Sequence, residues 1–197
     1  MTEKQKSVIE SIFERRSVRQ FIENKQVEKD KIIKLLETAM AAPSACNLQP
    51  WEFIVVSDKE ELSQLITLTF NGKYNPPLAM IICANTKNIP WEGNGWMIDC
   101  SAAVENMLIA ATAMGLGSVW IGAYHEEELR KLFNIPQNIK IMNIVYFGYP
   151  AADENLPSGT RYTEDAVFWG KYDPNRNRAM RTIEMLGDFS VSEPSQW

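Results

Sequence analysis

The chain has 197 residues, enough for one domain or for one domain with a trailing arm. Twenty basic against 25 acidic side chains leave a formal net charge of −5, which argues against non-specific nucleic-acid binding. No apolar run approaches the ~20 residues of a membrane span. The three cysteines, at 46, 83 and 100, are too scattered for a disulfide framework or a zinc site; with an N-terminal stretch that lacks a secretory core, they point to a reduced, cytoplasmic protein.

In chain order, the S-x-x-E of Ser7 to Glu10 is a capping box opening a short helix with Ile9, Ile12 and Phe13 on one face. Residues 28–42 form the clearest helix, since Ile32, Leu35, Leu36, Ala39 and Met40 repeat at helical spacing until Pro43 stops it. Residues 51–56 read as a strand. Asp58 caps a helix running to about Thr69, and residues 71–77 form a turn-rich loop. Residues 78–84 are apolar throughout and predict a buried strand. Residues 97–114 predict a long helix with two apolar stripes (Met97, Cys100, Val104, Leu108 and Ala111; Ile98, Ala102, Ile109 and Ala113), so it is central or covered by a partner subunit. Gly115 ends it. A strand over 118–122, a helix over 125–133 and a strand over 139–148 follow. Residues 161–169 read as a short strand before a polar tail. The irregular alternation of strands and helices predicts an α+β fold with a mixed sheet flanked by helices.

Several segments carry chemistry. Arg15, Arg16, Ser17 and Arg19 set three forked cations and a hydroxyl within five residues, a phosphate-gripping set. The same charges also complement the end of the preceding helix. The loop over 43–50 is stiffened by Pro43 and Pro50 and presents Ser44, Asn47 and Gln49, which suit the polar edge of a planar ligand or an ordinary connection. The glycines of residues 115–122 do not form a dinucleotide fingerprint, because a helix precedes them and a strand follows. They permit close approach of backbone to a neighbour, either a flat ligand over Gly122 or another chain. Cys46 reads as a small filler, and Cys83 and Cys100 as core. His125, the sole histidine, reads as a helix-start residue, which leaves no histidine metal cluster and no triad. Asp99 and Glu105 lie in the apolar helix as functional acids or as structurally satisfied ones. Phe70, Trp91 and Trp96 lie in or beside loops as stacking candidates, and the methionines at 97, 107 and 114 read as core.

Taken together, the Arg15 to Phe21 segment, the Pro43 to Trp51 loop, the Asp99 to Gly122 block, Gly148-Tyr149-Pro150 and a later Arg161 are similar to the FMN-dependent nitroreductase family over roughly residues 7–170. The resemblance implies an intertwined homodimer with one FMN per subunit at the interface, a domain over 1–172 and an arm over 173–197 that wraps the partner. It implies that Arg15 and Arg161 contact the phosphate. It puts Arg19, with Arg16 and Ser17 beside it, near the N1/O2 edge, where a cation offsets the charge that appears on reduction. Some members carry a second base two positions before that late arginine; this chain has Gly159 there. Pro43, Ser44, Ala45, Asn47 and Gln49 match the segment usually supplied by the other subunit. Trp120, Ile121 and Gly122 match the backbone against the isoalloxazine, one N–H pointing at N5. No catalytic side chain and no metal are implied. The activity implied is NADH- or NADPH-driven reduction of nitroaromatics, quinones or similar small acceptors, by hydride transfer through N5. A flavin-binding redox sensor, a reductive dehalogenase and a flavin-fragmenting enzyme are the alternatives.

Overall fold

The computed structural model describes residues 7–70, 72–90, 93–151 and 166–176. Through residue 151 the elements are α1 (Val8–Glu14), α2 (Lys29–Met40), a 3₁₀ turn (Ala45–Asn47), β1 (Trp51–Val56), α3 (Lys59–Thr67), β2 (Leu78–Asn85), α4 (Gly95–Ala113), β3 (Gly117–Ile121), α5 (Glu126–Phe133) and β4 (Ile139–Gly148). The strands pair in the order β1-β2-β4-β3. All three pairings are antiparallel, where the sequence predicts a mixed sheet. The parallel component among the described residues is a single bridge, Ser17 to Ser118. The helix α4 does cross from β2 to β3, but β4 inserts between those two like-directed strands, so no parallel pair forms. β1 and β2 are immediate neighbours despite the intervening α3, so the chain simply returns.

β1, β2 and β4 divide their side chains between two cores, while β3 contributes only to the α3/α5 side. In β2, Leu78, Met80, Ile82 and Ala84 face α2 and α4, whereas Ala79, Ile81 and Cys83 face α3 and α5. This strand is apolar throughout because both faces are covered. In β4 the alternation changes phase: Ile139 and Ile141 face the α3/α5 side, and so do Ile144 and Tyr146. The register shift opposite Ile82 and Cys83 supplies the extra residue that this requires. It lets one strand keep both ends apolar on the correct face. Beside the bulge, the Asn143 amide is buried with neither polar atom hydrogen-bonded among the described residues.

The caps follow the sequence. Ser7 and Glu10 form the reciprocal capping box, and Asp58 accepts from the backbone of Glu60 and Glu61 at the start of α3. Gly115, at φ +73°, takes the left-handed conformation after α4 that a side chain would strain. Tyr149 of the G-Y-P motif donates to Glu28 (2.6 Å) and accepts from Lys31 (2.8 Å), which also donates to the Met114 carbonyl (3.0 Å). Lys31 therefore fastens the start of α2 to the end of α4, and Tyr149 holds Lys31 and Glu28 together. The hydrogen bond from Tyr149 holds the Glu28 carboxyl below its ordinary range. Burial pushes the thiols of Cys83 and Cys100 up to about 12, which agrees with their reading as core.

The apolar side chains of α1 stand largely uncovered. Val8, Ile9 and Phe13 are 67, 63 and 72% exposed. On α4 the first stripe is buried except at Met97, while Ile98 of the second stripe is 74% exposed. A second compact unit holds residues 166–176, with the rings of Phe168 and Tyr172 4.5 Å apart. Residues 166–169 of the expected late strand are not strand, and residues 161–165 lie outside the described residues.

Gly117 fixes how closely the chain before Phe21 approaches β3. A Cβ there would lie 2.6 Å from the Val18 Cβ and 2.7 Å from both methyls. Gly117→Ala is expected to lower unfolding stability by about 1–3 kcal/mol, through overpacking. In urea unfolding, the Gly117→Ala/Val18→Ala pair should lose less than the sum of the two single changes, because the truncated valine removes the clash.

Candidate functional site

The candidate site is built around β3. Immediately after α1, the Arg15 N–H closes the helix on the Ser11 carbonyl at 2.9 Å. The segment then runs parallel to the first residues of β3, where Ser17 bridges Ser118 and the Val18 N–H donates to the Ser118 carbonyl at 2.9 Å. Val18 is buried, so this contact is apolar as well as hydrogen-bonded.

The three arginines divide between the two readings of their charge. Arg16 turns back, donating from Nη1 to the Phe13 and Arg15 carbonyls at 2.6 Å each, as a helix C-terminal cation does. Arg15 reaches across to α4, its Nε 3.2 Å from Glu105 Oε1. Arg19 donates to the Ser17 carbonyl at 3.0 Å and enters the wall of a cavity of about 780 Å³.

That cavity shows residues the sequence reading passed over. Lys73, Tyr74 and Asn75 line it together with Arg19 and residues 20–23. Asn75 joins the two segments: its Oδ1 accepts from the Phe21 N–H (3.1 Å) and its Nδ2 donates to the Phe21 carbonyl (3.0 Å), as a paired strand residue would. The contact spans 54 positions, so no local pattern announces it. The only sequence signal was a lysine between asparagines in a loop already recognised as turn-rich. The volume lies within the roughly 300–1,000 Å³ typical of small-molecule sites.

The loop over 43–50 is held in an unusual shape. Cys46, Asn47 and Gln49 have φ of +50, +57 and +48°, three consecutive departures save for Leu48 between them. Such conformations cost energy in non-glycine residues and persist where surroundings over-determine them. Here the surroundings are hydrogen bonds: Gln49 N–H to Ser44 Oγ (3.0 Å), Gln49 Nε2 to Asn47 Oδ1 (2.9 Å), and Ala45 N–H to Asp99 Oδ1 (3.0 Å). Asp99, 7% exposed on α4, is thus a satisfied buried acid that anchors the loop. Cys46 is exposed rather than filling space.

On β3, Val119 and Ile121 enter the α3/α5 core, Trp120 lies on the opposite face, and Gly122 follows the strand's last residue. Trp120 is 37% exposed, and a Cβ at Gly122 would meet no atom within 4 Å. Space is therefore open beside that backbone. The preceding glycine block lies between α4 and β3, as the argument against a dinucleotide fingerprint requires.

Ala45 meets α4 at Asp99 and Arg15 meets it at Glu105, six residues later. By helix geometry those points stand about 9 Å apart along the axis and about 120° apart around it. Within one protomer the two segments therefore occupy different sides of α4. Of the stacking candidates, Phe70 packs on His125 with ring centroids 4.3 Å apart and Trp96 packs against the α2/α4 core. Trp91 and Arg161 lie outside the described residues.

The nitroreductase family profile matches residues 12–77 and 73–149. The chain belongs to the nitroreductase family. A relative from Archaeoglobus fulgidus, with the provisional name NADH dehydrogenase/NAD(P)H nitroreductase, is 39% identical over 171 residues, covering 83% of this chain and 98% of its own. A solved structure from Bacteroides thetaiotaomicron, of the same provisional name, has a TM-score of 0.75 at 37% identity, over 86% of this chain and 100% of its own. An FMN-dependent nitroreductase from Clostridium difficile has a TM-score of 0.74 at 29% identity, over 83% of this chain and 99% of its own.

The anchoring of the strained loop is directly testable. In Asp99→Ala, amide hydrogen exchange at Ala45 should quicken about tenfold or more, the loss expected for a hydrogen bond to a charged acceptor. Exchange in β2 should hold, and Asp99→Asn, which keeps an acceptor, should change less.

Proposed function

We propose that this nitroreductase-family chain is an NAD(P)H-dependent FMN oxidoreductase acting on small nitroaromatic, quinone or similar acceptors. The observation that carries the reading is the stitch of Ser17 and Val18 to Ser118. It fastens a cationic segment alongside β3, whose Gly122 backbone has an open side. The donor set suits a phosphorylated planar ligand. Arg15, Arg16 and Arg19 supply charge and Ser17 a neutral donor. Trp120, Ile121 and Gly122 supply flat backbone, and Arg161 is assigned to the phosphate from sequence alone.

When bound, FMN supplies hydride acceptance and donation at N5, so the protein need supply no acid, base or nucleophile. The chain's own residues bind and orient. The Gly122 region presents backbone N–H to the ring. Arg19 and Lys73, which line one cavity together with Glu23, would provide the positive charge that offsets negative charge accumulating on a bound flavin on reduction.

The second segment serves the partner's ring in this reading. Pro43, Ser44, Ala45, Asn47 and Gln49 lie on a different side of α4 from Arg15, and a homodimer brings them to the other subunit's cofactor. The uncovered apolar side chains of α1, with Met97 and Ile98 of α4, give the dimer its contact surface.

The test is an anaerobic absorbance experiment on the freshly purified protein. Flavin bands should bleach on mixing with NADH or NADPH and return when a quinone or nitroaromatic is added. Bound flavin that neither nicotinamide reduces would contradict the reductase and favour a flavin-binding sensor. Failure to bind FMN at all would remove the function.

A further inference from the structure

We infer that Glu105 is a positioning residue that sets the Arg15 guanidinium for the flavin phosphate, an inference that rests on the FMN reading above. Glu105 lies in the middle of α4, on the helix that packs against α1, α2, the 3₁₀ turn and all four strands. Its carboxylate therefore has a fixed origin. Arg15 has a fixed origin too, because its N–H closes α1 on Ser11, and Ser17 and Val18 are held to Ser118 two and three residues on. What remains free in such a side chain is the long arm itself, whose rotamer entropy is among the largest of any residue. The contact from Glu105 restrains that arm.

The atom that makes the contact is informative. Glu105 Oε1 meets Nε, the guanidinium nitrogen nearest the chain, at 3.2 Å. A guanidinium carries five N–H donors in a planar fork, and a carboxylate on the Nε edge engages at most two of them. The far end, formed by the two Nη atoms, is the edge that matches two phosphate oxygens. A carboxylate at Nε therefore orients the plane and the reach of the fork while leaving its phosphate-matching edge in place. Both side chains are partly exposed, at 35 and 46%, so a phosphate has access and the pair itself adds little stability.

The arrangement involves two opposed electrostatic effects, which two substitutions separate. Glu105→Ala removes both the restraint and the negative charge. Glu105→Gln keeps a hydrogen-bond acceptor for Nε and removes only the charge. A positioning role predicts that Ala weakens FMN binding while Gln does not. A purely electrostatic nuisance near the phosphate predicts that both tighten it.

The readout is fluorescence quenching of FMN and of riboflavin, titrated with flavin-stripped full-length protein. Riboflavin shares the ring and ribityl chain but lacks the phosphate, so the ratio of the two dissociation constants isolates the phosphate grip. Glu105→Ala is expected to raise the FMN Kd about tenfold and to leave the riboflavin Kd within twofold, while Glu105→Gln stays near the parent protein for both ligands. In an Arg15→Ala background, Glu105→Ala should have no further effect on FMN, since the restrained arm is gone. Equal losses for both flavins, an additive effect in that background, or tighter FMN binding in both single variants would overturn the inference. A parent protein that quenches neither flavin would overturn the FMN reading itself, a separate result visible before any variant is made.

Discussion

One buried helix, α4, anchors both the Arg15 side chain and the Ala45 loop of the candidate site. The helix α4 has no wholly polar side: Cys100, Ala103, Val104, Met107, Leu108 and Ala111 are all buried, and the flanking stripe is half covered. A helix of that kind draws its position from packing rather than from propensity, and here it packs against both helices of its layer and every strand of the sheet. Two carboxylates interrupt its apolar surface, and each is matched to one loop. Asp99 takes the backbone of Ala45, and Glu105 takes the Arg15 side chain. Burying an acid is costly without a partner, so the Asp99 contact also stabilises the helix that carries it. The two loops are consequently placed by a helix that packs on every strand of the sheet.

The sheet contributes a second constraint, of fit rather than of charge. Gly117 has no room for a side chain beside Val18, and Gly148 none beside Pro77 and Phe21. These two glycines bring the Arg15 to Phe21 segment down onto the β3–β4 end of the sheet at two points. Asn75 clasps the same segment from the other side through the Phe21 backbone. A cationic stretch with no regular structure of its own is thereby held as closely as a strand. It runs from Ser118, near the start of β3, to Gly148 and Pro150 at the end of β4, while the Gly122 backbone at the far end of β3 stays open.

Much of this was legible in the residues. β1 and β4 span 51–56 and 139–148 as their apolar patterns predict, and Asp58 caps α3 as its position suggests. Local chemistry decides such features, and a sequence displays local chemistry. The Arg15 to Arg19, Pro43 to Pro50 and Gly115 to Gly122 segments stand out as candidates in the sequence, because their residue types are unusual for simple connections. What escaped depends on distance. The antiparallel pairing throughout needs knowledge of which strands are neighbours. The phase change in β4 looks like ordinary apolar sequence until its register against β2 is known. The apolar residues of α1 gave the right helix but not its exposure, since periodicity reports a face without reporting what covers it. Lys73 and Asn75 joined the Arg19 cavity only through folding, and the roles of Asp99 and Glu105 stayed undecided until each had a partner.

In the proposed reading, a flavin lies against the Trp120 to Gly122 backbone, with its phosphate toward Arg15 and its pyrimidine edge toward Arg19. The most direct measurement is a crystal structure of the protein with FMN bound. The account predicts ring density over Gly122, a phosphate within hydrogen-bond reach of Arg15, and the Ser44 to Gln49 loop of a second copy completing the pocket. Ordered FMN seated away from β3, or a phosphate directed away from Arg15, would contradict it.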